Sequence, residues 1–409
     1  MGSNAWAPTE NKMIRVEMLS TGDEVLHGQI IDTNAAWLAD YFFNQGLPIS
    51  SRETVGDSLS ALIEVLTERS QVADVLIVNG GLGPTSDDLS ALAAARAAGT
   101  ELIEHPEWIA RMEAFFHERG RVMSATNRKQ AHIPANAEML DNPVGTACGF
   151  ALRLNKCLMF FTPGVPSEFK VMVEQQIMPR LRQHFDVAEP PLCLRMTTFG
   201  RSESDLALEL DPLPLPEGVV LGYRSSAPII ELKLTGPAAA RPAMEQLWQQ
   251  VRAVAGDSTL FEGTQGLPAL LAEQLTQRGL LLAVSEQFTG GLMHWQLQSA
   301  AVPLVGGELL PAHCQETLAE VASRAQSLSM LCGAQLVLAV SAMQNDCLSV
   351  VLHTPEGTFA QRVRYQASRH GLRTRQESSA MLALDMLRRW LTGSPVCGQH
   401  GWLEVVEIL

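Results

Sequence analysis

Short, uninterrupted apolar runs recur along the chain, each followed by a glycine- or proline-bearing loop and then by apolar residues at helical spacing. Val16 to Leu19, Asp74-Val75-Leu76-Ile77-Val78-Asn79 and Cys157 to Phe161 are three such runs. Runs this short and this apolar read as strands buried on both faces. Between and after them, Asp32 to Phe43, Leu59 to Arg69, Leu89 to Ala98 and Pro166 to about Leu181 read as helices. Leu59, Leu62, Ile63 and Leu66 carry the helical period, Asp32 or Thr33 suits an N-cap, and Pro166 suits a first turn. Strands alternating with helices predict the α/β class, with a doubly wound, mostly parallel sheet.

Glu189-Pro190-Pro191 breaks this rhythm. Beyond it the pattern predicts a helix over Glu203 to Leu210, a loop over Pro212 to Pro216, and an amphipathic helix over Ala243 to Ala255. Ile230-Glu231-Leu232-Lys233-Leu234 alternates as a half-buried strand does. The result is a small α+β module of roughly 70 residues, short for an independent fold and better suited to a connector or dimer element. A second α/β region follows, with a helix over Leu267 to Arg278 and strands over Leu280 to Val284, Gln335 to Val340 and Leu348 to His353. A last helix over Arg375 to Trp390 and a final strand over Leu403 to Ile408 complete it. The expected organisation is therefore residues 13–182, 183–258, 259–395 and a tail, 396–409. Met1 to Lys12 is polar and reads as an extension added in cloning, with Met13 as the native start.

With 46% hydrophobic and 18% charged residues, the 409-residue chain has the composition of a globular protein. No apolar stretch approaches the ~20 residues that span a bilayer, so no membrane role is expected. The net charge of −14 argues against a general nucleic-acid-binding surface. It also means that an anionic ligand needs a metal ion, a helix terminus or a few placed basic residues. The seven cysteines form no Cys-x-x-Cys pair and the ten histidines no His-x-x-x-His pair. Neither a disulfide framework nor a structural zinc site is expected, and reduced thiols suit a cytoplasmic protein.

In open α/β sheets the ligand sits at the carboxyl ends of the strands. Three loops leave such ends: Thr21 to Glu24, Gly80 to Asp88, and Pro163 to Glu168. In Gly80-Gly81-Leu82-Gly83-Pro84-Thr85-Ser86-Asp87-Asp88 the glycines let backbone approach a phosphate, and the aspartates can hold a cation. The same residues also suit a tight turn in which Asp87 or Asp88 caps the next helix. Paired acids on two of the loops, Asp23 with Glu24 and Asp87 with Asp88, make an oxygen-ligand set for Mg²⁺ or a similar hard cation. Such an ion could clamp a pyrophosphate and polarise an attacking water, while Asp87 or Asp88 orients it or accepts a proton.

Five segments, in order, resemble the CinA family, the competence/damage-inducible protein A group. They are Ser20-Thr21-Gly22-Asp23-Glu24, the Gly80 to Asp88 loop, Asn127-Arg128-Lys129-Gln130-Ala131, Asn142-Pro143-Val144-Gly145-Thr146-Ala147, and Pro163-Gly164-Val165-Pro166-Ser167-Glu168. The resemblance covers about Met13 to Leu181. It implies a fold similar to molybdopterin-binding proteins of the Mog and MoaB type. For some members it also implies hydrolysis of the pyrophosphate of ADP-ribose with a divalent cation (Mg²⁺, Mn²⁺ or Co²⁺); molybdopterin or nucleotide binding without hydrolysis is the alternative. By motif position, Asp23, Glu24, Asp87 and Asp88 would hold the metal, and Asp23, Asp87 and Asp88 would carry the catalysis. Gly22, Asn34, Gly80, Gly81, Gly83, Thr85, Lys129, Asn142, Gly145, Thr146, Gly164 and Glu168 would line the nucleotide pocket. A homodimer is expected by the same resemblance.

The last region resembles the family's C-terminal domain, which in active members deamidates nicotinamide mononucleotide. The family's Ala-Glu-Ser-Cys-Thr-Gly-Gly stands here as Ser285-Glu286-Gln287-Phe288-Thr289-Gly290-Gly291. Gly306-Gly307 is retained, while Thr-Gly-x-Ala-Gly-Pro appears as Ser341-Ala342-Met343-Gln344-Asn345-Asp346. Gln287 cannot act as a nucleophile and Phe288 crowds a site built for a small side chain, so the expectation is a retained fold without deamidase activity. The middle module resembles a KH fold but has no Gly-x-x-Gly loop, and RNA binding is not expected there.

Overall fold

The fully apolar runs become interior strands. The computed structural model describes residues 14–366 and 370–409, so the extension read over Met1 to Lys12, and Met13, lie outside the described residues. The chain divides into one unit ending at Pro191 and another running from Leu192 to Leu409.

The first unit contains strands β1 (Val16–Thr21), β2 (Ile49–Val55), β3 (Val75–Asn79), β4 (Leu102–Glu104), β5 (His132–Pro134), β6 (Glu138–Leu140), β7 (Gly149–Leu154) and β8 (Cys157–Thr162). Six form one sheet in the order β2-β1-β3-β8-β7-β6, and β4 pairs with β5 separately. β2, β1, β3 and β8 are parallel, so their carboxyl ends share one edge. β7 and β6 return antiparallel. Alternate side chains enter two cores, as a doubly wound sheet requires. Leu19, Val78 and Phe161 pack with Trp108 and Leu66 on one face, and Met18, Ile77 and Phe160 with Phe42 and Phe169 on the other. The helix Thr33–Asn44 is capped by Asp32, whose carboxylate accepts the Ala35 N–H at 2.8 Å. The helix that begins at Pro166 continues through a π-helical segment, Val173–Ile177, into Met178–His184. Pro179 explains that bulge, because it lacks an N–H and its ring crowds the carbonyl four residues back.

The second unit begins with β9 (Leu192–Phe199), β10 (Val220–Ser226), β11 (Ile229–Gly236) and β12 (Thr259–Glu262), an antiparallel sheet in the order β10-β11-β9-β12. The helices Glu203–Leu210 and Arg241–Ala255 cover it with Leu206, Leu210, Met244 and Trp248. Because β12 pairs with β9, this sheet extends past residue 258. The remaining strands are β13 (Leu282–Glu286), β14 (Leu304–Leu309), β15 (Leu336–Val340), β16 (Cys347–Thr354), β17 (Gly357–Tyr365) and β18 (Leu403–Ile408). Their order is β14-β13-β15-β16-β17-β18, parallel over the first three and antiparallel over the rest, with the tail strand β18 at one edge. Among the described residues no helix is long and apolar enough to cross a membrane. All seven cysteines are free thiols.

Candidate functional site

The loops leaving β1, β2, β3 and β8 surround a cleft of about 590 Å³. At its centre the chain turns sharply after Asn79, with φ +108° at Gly80 and +68° at Gly81. A Cβ on Gly80 would lie 2.9 Å from the Thr21 carbonyl oxygen, so only glycine fits against β1. The Gly80 N–H donates to Thr162 O at 2.9 Å, and the Ser90 hydroxyl donates to Gly80 O at 2.8 Å. Asn79 holds the β8 loop by donating to Pro163 O at 2.7 Å. Asn34 donates to Asn79 Oδ1 at 3.0 Å and to Gly164 O at 2.8 Å. The glycine loop is thus fixed to both neighbouring strands.

β2 contributes a residue that the sequence reading missed. Asp57, just past its carboxyl end, lines the cleft. The Asp23 N–H donates to Asp57 Oδ2 and the Asp57 N–H to Asp23 Oδ1, each at 3.1 Å. This reciprocal clamp needs Gly56, where a Cβ would meet Asp23 Oδ1 at 2.3 Å. Burial holds the Asp57 carboxyl above its ordinary range; the clamp's hydrogen bond opposes this, and the charges of Asp23, Glu24 and Asp87 reinforce it. Asp87 moves the other way, held low first by the Thr85 hydroxyl, then by its own N–H and the Lys129 charge. Asp88 is tied into its own loop, accepting the Thr85 N–H at 2.9 Å and the Thr85 hydroxyl.

Of the residues assigned from motifs, Gly22, Glu24, Asn34, Gly80, Gly81, Gly83, Thr85, Asp87, Asp88, Thr146, Gly164 and Glu168 line the cleft. Asp23 sits beside it in the clamp with Asp57. Lys129 donates to Thr85 O and lines a small adjoining cavity behind the glycine loop. Asn142 and Gly145 line another small cavity, with Trp108 and Arg111. Their effect on the cleft is through Glu168. Asn142 donates to Glu168 Oε2 at 2.7 Å, and a Cβ at Gly145 would collide with that carboxylate. Thr146 is positioned by Gln130, which accepts its hydroxyl at 3.1 Å.

Glu24, Asp32, Asp57, Asp87, Asp88 and Glu168 line the cleft, and among the described lining residues there is no Lys, Arg or His. An anion entering this field needs a cation with it. No three Asp, Glu, His or Cys side chains among the described residues gather as a ready coordination sphere. An all-oxygen donor set nevertheless suits a hard cation, which commonly takes one or two carboxylates and completes its shell with phosphate and water. A cation arriving with a phosphate could take one or two carboxylates here, Glu24 and Asp87 being the candidates on the cleft wall.

In the second unit, Gln287 lies just past the carboxyl end of β13 and is buried. Its amide donates to Pro311 O and Cys314 O, both at 3.2 Å, and accepts from the Ala342 N–H at 2.9 Å and Arg324 at 3.4 Å. All its hydrogen-bonding capacity is directed into the protein. Phe288 packs against the apolar core. Glu286 accepts the N–H groups of Gly291, Met293 and His294, closing the start of the helix Leu292–Ser299.

Comparison with known proteins places this geometry in context. The family model described as "Probable molybdopterin binding domain" matches residues 17–183. A "CinA-like protein" of Escherichia coli O9:H4 (strain HS) is 63% identical over 395 residues, covering 97% of this chain and 98% of the relative. The "NMN amidohydrolase-like protein YfaY" of Escherichia coli (strain K12) matches with the same identity and coverage. Among solved structures, CinA from Thermoplasma acidophilum is 25% identical, with a TM-score of 0.38, over 43% of this chain and 99% of that one.

Proposed function

The chain belongs to the family of CinA-like proteins, and from that premise we propose that its first unit hydrolyses the pyrophosphate of ADP-ribose or a related nucleotide. The observation that carries this reading is the cleft itself, where a glycine loop open to a phosphate is ringed by carboxylates with no basic residue among those described. A bound Mg²⁺, Mn²⁺ or Co²⁺ would neutralise phosphate charge and make a coordinated water more acidic. Glu24 and Asp87 would hold it, with phosphate and water completing its shell. The backbone of Gly80, Gly81 and Gly83 admits the phosphates without side-chain interference. Asp57, whose carboxyl burial holds above its ordinary range, takes the proton of the attacking water. Asp23 fixes its orientation through the clamp. Water oxygen bonds to one phosphorus, the bridging P–O bond breaks, and two phosphomonoesters result. Asp87, held ionised, and the tethered Asp88 serve binding and loop order better than proton transfer.

A second reading, binding of a molybdopterin or nucleotide without turnover, draws on the description of the family model that matches this unit. The relative's name brings a third, deamidation of nicotinamide mononucleotide by the second unit. The chemistry at Gln287 and Phe288 weighs against it, since an amide bonded on all sides supplies no nucleophile. Turnover of ADP-ribose by the wild-type chain and by Asp57→Asn separates the readings. Product from the wild type and a loss of about 10²-fold or more in the variant supports the first. Saturable binding with no product at any metal concentration supports the second.

A further inference from the structure

The glycine loop is a thin wall between two spaces. Gly81, Leu82, Gly83 and Asp88 line the acidic cleft on one side. The same four residues line a cavity of about 40 Å³ on the other, together with Lys129 and His132. Lys129 therefore meets the loop from behind and does not line the cleft. Its motif position alone would have set the ammonium on a phosphate.

The tip of the loop depends on this contact. Leu82 is buried at the base, whereas Thr85, Ser86 and Asp87 at the tip are exposed. The Thr85 N–H and hydroxyl both donate to Asp88, and Thr85 O accepts the Asp88 N–H at 3.3 Å, so these bonds stay inside the loop. Among the described residues, the one hydrogen bond that joins residues 83–88 to another part of the chain runs from the Lys129 ammonium to Thr85 O. Its anchor is firm. Lys129 belongs to the 3₁₀ helix Ala125–Ala131, where Gln130 accepts from Asn127 at 3.2 Å and from Thr146 at 3.1 Å, and Arg128 pairs with Glu104 at 2.6 Å. A charged donor makes one of the stronger hydrogen bonds. An exposed tip with no other tie moves freely once that bond is lost.

We infer that Lys129 is a positioning residue: through the Thr85 carbonyl it fixes the loop tip in the conformation that presents Asp87 to the cleft, and it does not touch the ligand. This role rests on the reading of the cleft as a phosphate site.

Two measurements on the full chain test it: exchange of the Thr85 and Asp88 amides without ligand, and calorimetric titration with methylenediphosphonate and Mg²⁺. Lys129→Met keeps the length of the side chain and removes its charge and donors. It should speed the exchange and weaken the probe, each about tenfold, the scale of one charge-assisted hydrogen bond. Lys129→Arg keeps a charged donor and should restore both to within about threefold of the wild type. In a Pro84→Gly background, where the tip is already loose, Lys129→Met should weaken the probe by no more than about twofold further. Lys129→Ala gives the same readouts if Lys129→Met does not fold. An ammonium that meets the phosphate directly predicts the reverse, with unchanged exchange in the free chain and the full loss of affinity in both backgrounds. That result, or a Lys129 variant that leaves either measurement unchanged, overturns the inference and leaves the phosphate reading standing. No binding of the probe by the wild type overturns the phosphate reading and the inference together.

Discussion

Replacing Gly80 by alanine tests whether the glycine loop is fixed by close approach to β1. At φ +108° an L residue carries about 1–3 kcal/mol of backbone strain. The new Cβ would also lie 2.6 Å from the Thr21 hydroxyl and 2.9 Å from the Thr21 carbonyl oxygen. The hydroxyl can rotate away. The carbonyl belongs to β1, which pairs with β3 through Ser20 and Asn79, so relief requires a strand to move, at about 1–3 kcal/mol. Together these predict a loss near 4 kcal/mol. Gly99→Ala is the internal control, because Gly99 has φ +63° and open space around its would-be Cβ. It should cost only about 1 kcal/mol. Native-state hydrogen exchange of the Val75–Asn79 amides in the full chain reports the first unit alone. The difference of about 3 kcal/mol corresponds to exchange roughly a hundredfold faster in Gly80→Ala than in Gly99→Ala. Equal protection in the two variants would refute the close-packing argument and, with it, the assignment of a rigid loop.

Other perturbations address the charges and thiols. The raised carboxyl of Asp57 contributes stability that is present below its unfolded value, near 3.8, and lost as pH rises through the higher folded value. Asp57→Asn should therefore be more stable than the wild type at pH 7, with the gain vanishing below pH 3.8; denaturant midpoints at both pH values check this. His400 behaves in the opposite sense, its ring pushed down to about 4 by burial, with Asp385 opposing and Arg389 and Arg388 adding to the effect. Its contribution is present above pH 6.5 and lost as pH falls through about 4, a change of about 3 kcal/mol. His400→Leu should flatten that dependence in hydrogen exchange of the Leu403–Ile408 amides. Burial pushes the Cys148 and Cys157 thiols up to about 12, whereas Cys314 is exposed. Iodoacetamide at pH 8 should label Cys314 in the native chain and reach Cys148 and Cys157 only after unfolding, as peptide mass spectrometry would show.

The legible parts of the fold were those whose physics is local. β1, β3 and β8 are buried along their whole length, so they read as continuous apolar runs. β2 is an edge strand with Ser50 to Glu53 exposed, its polar sequence carries no such signal, and Asp57 was lost with it. Ser58 did offer a clue, since it caps the helix Leu59–Val72 and accepts the Ala61 N–H. A strand-end Gly56-Asp57 before a capped helix repeats the layout of the other site loops. The motifs located the cleft but not the direction of each side chain. Asp23 turns to the Asp57 N–H, Lys129 to the Thr85 carbonyl and Asn142 to Glu168, partners 34, 44 and 26 residues away that spacing along the chain does not reveal.

The central claim is that chemistry resides in the acidic cleft of the first unit and not at the Gln287 position of the second. Chromatographic separation of products from the full chain, incubated with ADP-ribose or with nicotinamide mononucleotide and Mg²⁺, Mn²⁺ or Co²⁺, tests it most directly. The expected result is AMP and ribose 5-phosphate in equal amounts from the first substrate and no ammonia from the second. Intact ADP-ribose with all three ions, alongside ammonia from nicotinamide mononucleotide, would contradict it.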